Sequence, residues 1–432
     1  MKKIGQFIYS WGNGHYSRMM SLNDELPNYI KDEYEVHYSS KEEIYQKLLK
    51  KFPDKKQNIH EILMPTPIDG KYGPSIFLSM LNLFLPISGK PPLVKQVSSC
   101  LRKEARLFDR IGFDLVINDG DMGPNVLAKN RKVKSIFVTN QFMPKFWKSH
   151  FYFYPGAVFI AKQIAKATKI VVADSPPPYT MCEYNLNFPD KIKEKVIYAG
   201  HFASNKKRCQ KEKTDFEKLI ENTDFGYWMR TGNKSTNMIT GKKYEEVFHS
   251  EEIKNEKRIV SHAINDPSVD RVLGENGKMY SISDALEKKI DWVQIDVGFL
   301  SEEEKETTLD FCKYAVINGS HTVMGEIIGI KGKPIIGIPV YDEQTNQIQW
   351  AQEHKLGVSA KSKKQVIRAI LDIRKDYAKF DESIRQFKEN FVPNGAQAYC
   401  KNSRPDARRE KIIAFSDRLL CLVRGISMGE RT

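Results

Sequence analysis

Short apolar runs alternate with helix-length amphipathic stretches in two successive blocks, and no other feature limits the fold of this chain as strongly. KKIGQFIYS, EYEVHYSS, FDLVINDG, VKSIFVTN, KIVVADS and KVIYAG are rich in Val, Ile, Phe and Tyr and end in polar residues or glycine, as strands do. Helix-length segments such as 41–52 and 95–110 separate several of them. The alternation stops over 203–222 (ASNKKRCQKEKTDFEKLIEN), where charge dominates, and resumes with FGYWMRTG, KRIVSHAI, DWVQIDVG, YAVING and KPIIGIPV. Strand–helix alternation predicts a parallel, doubly wound α/β sheet. Two such blocks predict two Rossmann-like domains, residues 1–204 and 223–395, with a linker over 205–222 and a tail over 396–432 that reads as helical from about Pro405. Ligands of such sheets bind at the carboxyl ends of the strands.

A length of 432 residues accommodates two cores, and 41% hydrophobic with 28% charged residues excludes wholesale disorder. The apolar stretch Ile4–Ile8 near the N-terminus is too short for a secretory leader and reads as a first strand. The run 76–87 (IFLSMLNLFLPI) is about half the ~20 residues of a spanning helix, so an integral membrane protein is not expected. Six cysteines lie far apart without a CxxC pair, which predicts a reducing, cytoplasmic setting and no metal. Residues 1–204 carry 29 basic against 19 acidic side chains, 205–395 are neutral, and 396–432 carry 8 against 4. A basic first half points to an anionic partner, either nucleic acid, an acidic membrane surface or a phosphate-bearing acceptor. No RNA- or DNA-binding motif is present, so nucleic acid is not expected.

Four places can carry chemistry. Gly12, Gly14, His15 and Arg18 follow the first strand in GNGHYSR. Glycines at a strand-to-helix turn let a ligand approach the backbone, and the helix start favours anions. His15 is placed to act as a general base, or alternatively caps its turn. Asp119-Gly120-Asp121 closes FDLVIND, and either carboxylate can orient His15 or serve only as a turn signal. In the second block, a strand ends in Asn318-Gly319-Ser320, His321 opens a helix, and Glu326 lies in its second turn. Backbone N–H groups at that helix start suit a diphosphate, Glu326 suits ribose hydroxyls, and Asp342-Glu343-Gln344 after the next strand suits sugar hydroxyls. Finally, residues 142–159 mix Phe146, Trp147 and Phe151 with Lys148, which suits a membrane interface or acceptor surface, or alternatively core or interdomain packing. The 76–87 run is either a second anchor or packing.

At these residues the chain resembles the GT-B glycosyltransferases related to the peptidoglycan N-acetylglucosaminyltransferase, the monogalactosyldiacylglycerol synthases and the UDP-glucuronosyl/glucosyltransferases. It is most similar to a prokaryotic, often archaeal, branch with a GxGHxxR loop. The likeness covers 4–18 and about 290–360, and is architectural elsewhere. It implies two Rossmann-like domains facing across a cleft, a UDP-sugar donor and no other cofactor, and inverting, metal-independent transfer to a hydroxyl. The basic charge and aromatics of the first half point to a lipid-linked or glycolipid acceptor at the inner face of the cell membrane. His15 would be the base. Ser320, His321 and Thr322 would meet the diphosphate, Glu326 the ribose, and Glu343 and Gln344 the sugar. Phe299 and Leu300 match residues lining the base pocket, and Arg230 and Gly232 stand where relatives have a Gly-rich turn. Two places depart from the pattern. Gln347-Ile348 stand where Asn-Ala is usual, and the Arg230 loop lacks the double glycine. The non-hydrolysing UDP-N-acetylglucosamine epimerases share the architecture and are the competing expectation.

Overall fold

The structure, a computed structural model, describes residues 1–10, 13–29, 33–65, 68–70, 73–146, 154–202, 212–232 and 234–393. It divides into two units, Met1–Ser204 joined by Val392 and Pro393, and Asn205–Phe391. Gly12, Trp147, Lys148, Phe151 and the tail 396–432 lie outside the described residues, as does 203–211 of the charged stretch.

In the first unit the strands are β1 (Lys2–Ile8), β2 (Tyr34–Ser40), β3 (Ile59–Glu61), a small antiparallel pair β4 (Asp69–Gly70) and β5 (Gly73–Pro74), then β6 (Leu115–Asp119), β7 (Lys134–Thr139), β8 (Lys169–Val172) and β9 (Val196–Tyr198). The main sheet runs β3-β2-β1-β6-β7-β8-β9 and every pairing in it is parallel. The helices are α1 (Asn13–Tyr29), α2 (Glu42–Lys51), α3 (Ile76–Leu81), α4 (Leu93–Ile111), α5 (Gly123–Asn130), α6 (Tyr154–Ile164) and α7 (Asp190–Lys193). Apolar side chains leave both faces of the sheet, as a doubly covered parallel sheet requires. Ile4, Ile8 and Ile117 pack with Met19 of α1 on one face, and Phe7 and Val116 with Leu107 and Phe108 of α4 on the other. Strand order reverses between β1 and β6, which makes their carboxyl ends a topological switch point.

The second unit begins with α8 (Asp215–Ile220). A capping box between Thr214 and Glu217 starts this helix, and Phe216, Leu219 and Ile220 are buried. The last part of the 205–222 stretch is therefore packed into this unit. Then come β10 (Gly226–Met229), α9 (Lys234–Phe248), β11 (Arg258–Ser261), β12 (Arg271–Gly274), β13 (Met279–Tyr280), α10 (Ile282–Glu287), β14 (Trp292–Val297), α11 (Glu302–Phe311), β15 (Tyr314–Ile317), α12 (His321–Met324), β16 (Ile335–Gly337), α13 (Asp342–Glu353), β17 (Gly357–Ser359), α14 (Lys363–Lys375) and α15 (Ala378–Asn390). The sheet runs β13-β12-β14-β11-β10-β15-β16-β17, with a second switch point between β10 and β15.

Each of the eleven short apolar runs assigned to the two blocks forms a strand, whereas the run 76–87 begins as helix α3. Strands β3, β4, β5, β12, β13 and β17 lie outside those runs. β12 and β13 add antiparallel to the edge of β14, turning at Asn276-Gly277 with Gly277 at φ +74°. That Asn-Gly pair is the sequence signal for the hairpin.

Gly226 pairs with Tyr314 across β10 and β15, and a Cβ at 226 would run into the buried Tyr314 ring. Gly226→Ala is expected to cost about 1–3 kcal/mol by overpacking, read as a lower midpoint in urea unfolding at pH 7. An unchanged midpoint would contradict this packing.

Candidate functional site

At the first switch point α1 begins just after β1, so its first turn stands over the carboxyl ends of β1 and β6. His15 and Arg18, three residues apart on this helix, reach the same side chain. Asp119, the last residue of β6, is fully buried. Arg18 grips it with two bonds, Nε to Oδ2 at 2.8 Å and an Nη to Oδ1 at 2.7 Å. His15 Nδ1 lies 2.7 Å from Oδ1. An ionised carboxylate only accepts, so Nδ1 carries the proton and donates it. The 3.0 Å approach of Arg18 to the same nitrogen is then a contact between two donors. This tautomer leaves Nε2 with its lone pair, and no partner for it is found among the described residues. Burial alone would push the Asp119 carboxyl up. Arg18 first and His15 second overcome this and hold it at about 2.

Gly120 makes the arrangement possible. It has φ +86°, and a Cβ there would come within 2.7 Å of Tyr9 Cβ and 3.0 Å of His15 Cε1. The Tyr9 ring meets the imidazole edge-on at 5.6 Å. Of the two carboxylates considered as the partner of His15, the structure places Asp119 on it. Asp121 turns instead toward α4 and accepts from Gly123 N at 3.0 Å. Gly14 lies in the first turn of α1.

The second unit is built in parallel fashion. Asn318, after β15, accepts from Thr231 Oγ1 at 2.8 Å and donates to Thr231 O at 2.9 Å, which ties the loop after β10 to that after β15. Gly319 at φ +92° leads to Ser320, the N-cap residue of α12. Ser320 N–H is held by Asn318 Oδ1 at 3.2 Å. His321 is buried and Thr322 half-buried at the helix start. The helix continues as a π-type stretch, Gly325–Lys331. Glu326 is buried there and pairs with Lys305 of α11 at 2.7 Å. Burial pushes its carboxyl up against the pull of Lys305. The sequence reading did not include Lys305, although it closes the acidic run SEEEK.

Arg230 folds back over Gly241 of α9 and pairs with Glu245 at 3.1 Å, leaving its Nε buried and without an acceptor among the described residues. Gly232 adopts φ +97° beside Thr236. Leu300 is buried and Phe299 is 69% exposed, just before Ser301 caps α11. Asp342 and Glu343 open α13, while Gln344 is buried and its Oε1 accepts from Val340 N at 2.9 Å. At the departure from the family pattern, Gln347 bonds Glu343 at 3.3 Å. Ile348 fills the space over Gly319 and Gly337, where a Cβ on either would collide with it.

On the first unit's surface, Phe146 is half-buried and Phe142 packs in the core against Phe188. The 76–87 run is displayed, with Phe77, Phe84 and Leu85 exposed. No acidic residue occurs between 74 and 103, and the neighbouring face of α4 exposes Lys95, Arg102, Lys103 and Arg106.

No family model matches the chain. It is 30% identical over 219 residues to an uncharacterized glycosyltransferase of Methanosarcina acetivorans, a match covering 47% of this chain and 52% of the relative. A second uncharacterized glycosyltransferase, from Methanosarcina mazei, is 29% identical over 221 residues with the same coverage. The chain thus spans about half the length of the curated relatives it matches. Among solved structures, UGT2 of Phytolacca americana, complexed with UDP-2fluoro-glucose and pterostilbene, superposes with TM-score 0.62 at 12% identity over 98% of this chain and 99% of that one. The glycotransferase of kitacinnamycin gives 0.59 at 11% identity over 90% and 94%. A UDP-N-acetylglucosamine 2-epimerase gives 0.52 at 11% over 91% and 92%. At such identities the likeness is one of fold, and the fold is that of GT-B proteins, with two parallel-sheet α/β domains.

Asp119→Asn leaves the buried Arg18 guanidinium without its counter-charge and is expected to destabilise the protein by about 3–5 kcal/mol at pH 7, measured by urea unfolding. The Asp119 carboxyl is held below its ordinary value. Its ionisation therefore contributes roughly 2 kcal/mol that is fully present above about pH 4 and lost as pH falls through about 2. The variant should lack that acid limb; equal stability of variant and parent at pH 7 would refute the assignment.

Proposed function

We propose that the chain is an inverting glycosyltransferase that moves a sugar from a UDP-sugar to an acceptor hydroxyl without a metal. The observation that carries this is the Arg18–Asp119–His15 cluster at a strand switch point, with Nδ1 of the imidazole engaged and Nε2 left to accept a proton. In the reaction Nε2 takes the hydroxyl proton as the acceptor oxygen attacks the anomeric carbon. The bond from that carbon to the diphosphate breaks, and its electron pair leaves with UDP. Asp119 stabilises the imidazolium that forms. The diphosphate charge is met by the backbone at Ser320–Thr322, the ribose by Glu326, and the sugar by Glu343 and Gln344. Support comes from the archaeal relatives' names and from the GT-B fold.

The acceptor is proposed to be lipid-linked or a glycolipid at the cytoplasmic face of the membrane. The exposed Phe77, Phe84 and Leu85 beside a basic, acid-free stretch support this. A second reading, UDP-sugar epimerisation, is favoured by the epimerase of the same fold.

UDP release should require an acceptor and persist with a chelator. Interconversion of the UDP-sugar alone would favour the epimerase instead. His15→Ala should lower acceptor-dependent turnover by about 10²–10⁴-fold, and Glu326→Ala should abolish the thermal stabilisation given by UDP-sugar. A Glu326→Ala protein with parental donor affinity would sink the donor-site assignment.

Phe84→Ser with Leu85→Ser should weaken sedimentation with anionic phospholipid vesicles at least about tenfold. Equal binding by the variant, or no binding by the parent, would remove the membrane reading and leave the transfer reaction standing.

A further inference from the structure

A second carboxylate pair lies behind the His15 turn and is not used by the reaction above. Glu104 sits on the inner face of α4, in line with Cys100, Leu107 and Phe108, and is fully buried. The Cys100 thiol donates to Glu104 Oε1 at 3.3 Å. The other oxygen, Oε2, presses on Gly123, where a Cβ would collide with it. Asp121 meets it from the turn between β6 and α5. Its Oδ1 accepts from Gly123 N, while Oδ2, like Glu104 Oε2, finds no donor among the described residues. One atom from each of Cys100, Glu104 and Asp121 lies within 4.8 Å of the other two.

Two buried carboxylates this close, each with an oxygen that finds no donor among the described residues, repel each other unless something positive lies between them. The other titratable groups acting on this cluster are Tyr9, whose buried phenol feels Asp121, and Lys41, which acts on Cys100. We infer that one proton is shared between Glu104 and Asp121, and that this bond fixes the turn 119–123 that presents Asp119 to His15. Burial, and then the charge of Asp121, push the Glu104 carboxyl well above the usual range, while burial raises Asp121 against the bond from Glu104 and those from its own turn. Because Asp121 already accepts the N–H of Gly123, the proton is placed on Glu104, which donates it to Asp121 as a hydrogen bond.

The consequence is positional. Gly120 gives the turn no side chain of its own to hold it, and its φ of +86° is open to glycine. Asp121, clamped by Glu104 one residue later, sets the direction in which Asp119 leaves β6. Glu104 thus acts through Asp121 on the imidazole and is a positioning residue. Its importance for transfer rests on His15 being the base, whereas the shared proton does not.

Infrared spectroscopy and NMR test this without an activity assay. At pH 7, protein carrying ¹³C-carboxyl-labelled glutamate should show the C=O stretch of one protonated side-chain acid, lost in Glu104→Gln. The Nδ1–H resonance of His15 bonded to Asp119 should survive Glu104→Gln, whose amide also donates to Asp121, and should be shifted or lost in Glu104→Leu. Absence of the acid band in the parent overturns the shared proton. Stoichiometric zinc or another divalent metal in the purified protein, bound by Cys100, Glu104 and Asp121, also overturns it. An unmoved His15 resonance in folded Glu104→Leu overturns the positioning role.

Discussion

The ionised carboxylate of Asp119, sealed at the end of β6, is the constraint around which the first unit's chemistry is arranged. A lone carboxylate at that depth is too costly to keep charged. Arg18 satisfies it with a two-pronged grip, and this fixes the rotation of α1 over the sheet. With α1 so fixed, His15 must meet the same oxygen, and its tautomer follows from the carboxylate's inability to donate. Gly120 then leaves the space that the imidazole occupies. Charge satisfaction, helix placement and the free ring nitrogen are thus one problem with one solution.

The second unit solves a different problem at its own switch point. Asn318 joins the ends of β10 and β15 through both polar atoms of its side chain, so the loop that precedes α12 is held from two strands. Ile348 packs where Gly319 and Gly337 leave room, which is why a bulky residue is tolerated where the related pattern has a small one. Glu326 is neutralised by Lys305 rather than left as a bare buried charge. Arg230 is spent on Glu245 along α9, in keeping with a loop that lacks the double glycine.

The surface of the first unit carries the remaining information. Apolar side chains at Phe77, Phe84 and Leu85 are left in water with lysines and arginines nearby and no acids among them. A patch of that composition supports the proposed contact with a lipid surface.

Sequence alone determined the two βα blocks and eleven of their strands, because buried parallel strands must be short, branched and apolar, and that composition is visible in one dimension. It also marked His15, Asp119, Ser320 and Glu326 as chemically interesting, since glycine turns and helix starts leave local signatures. It left open which carboxylate meets His15, because Asp119 and Asp121 differ only in the face of the turn from which they leave. Only the tertiary structure decided that, by bringing Arg18 of α1 to one and Glu104 of α4 to the other across 101 and 17 residues of chain. Nor did the sequence show that 76–87 is displayed and 215–220 packed. Composition alone argues the reverse, since 76–87 carries no charged residue and half of 215–220 is charged, and the choice between water and core is made by the neighbours that folding supplies.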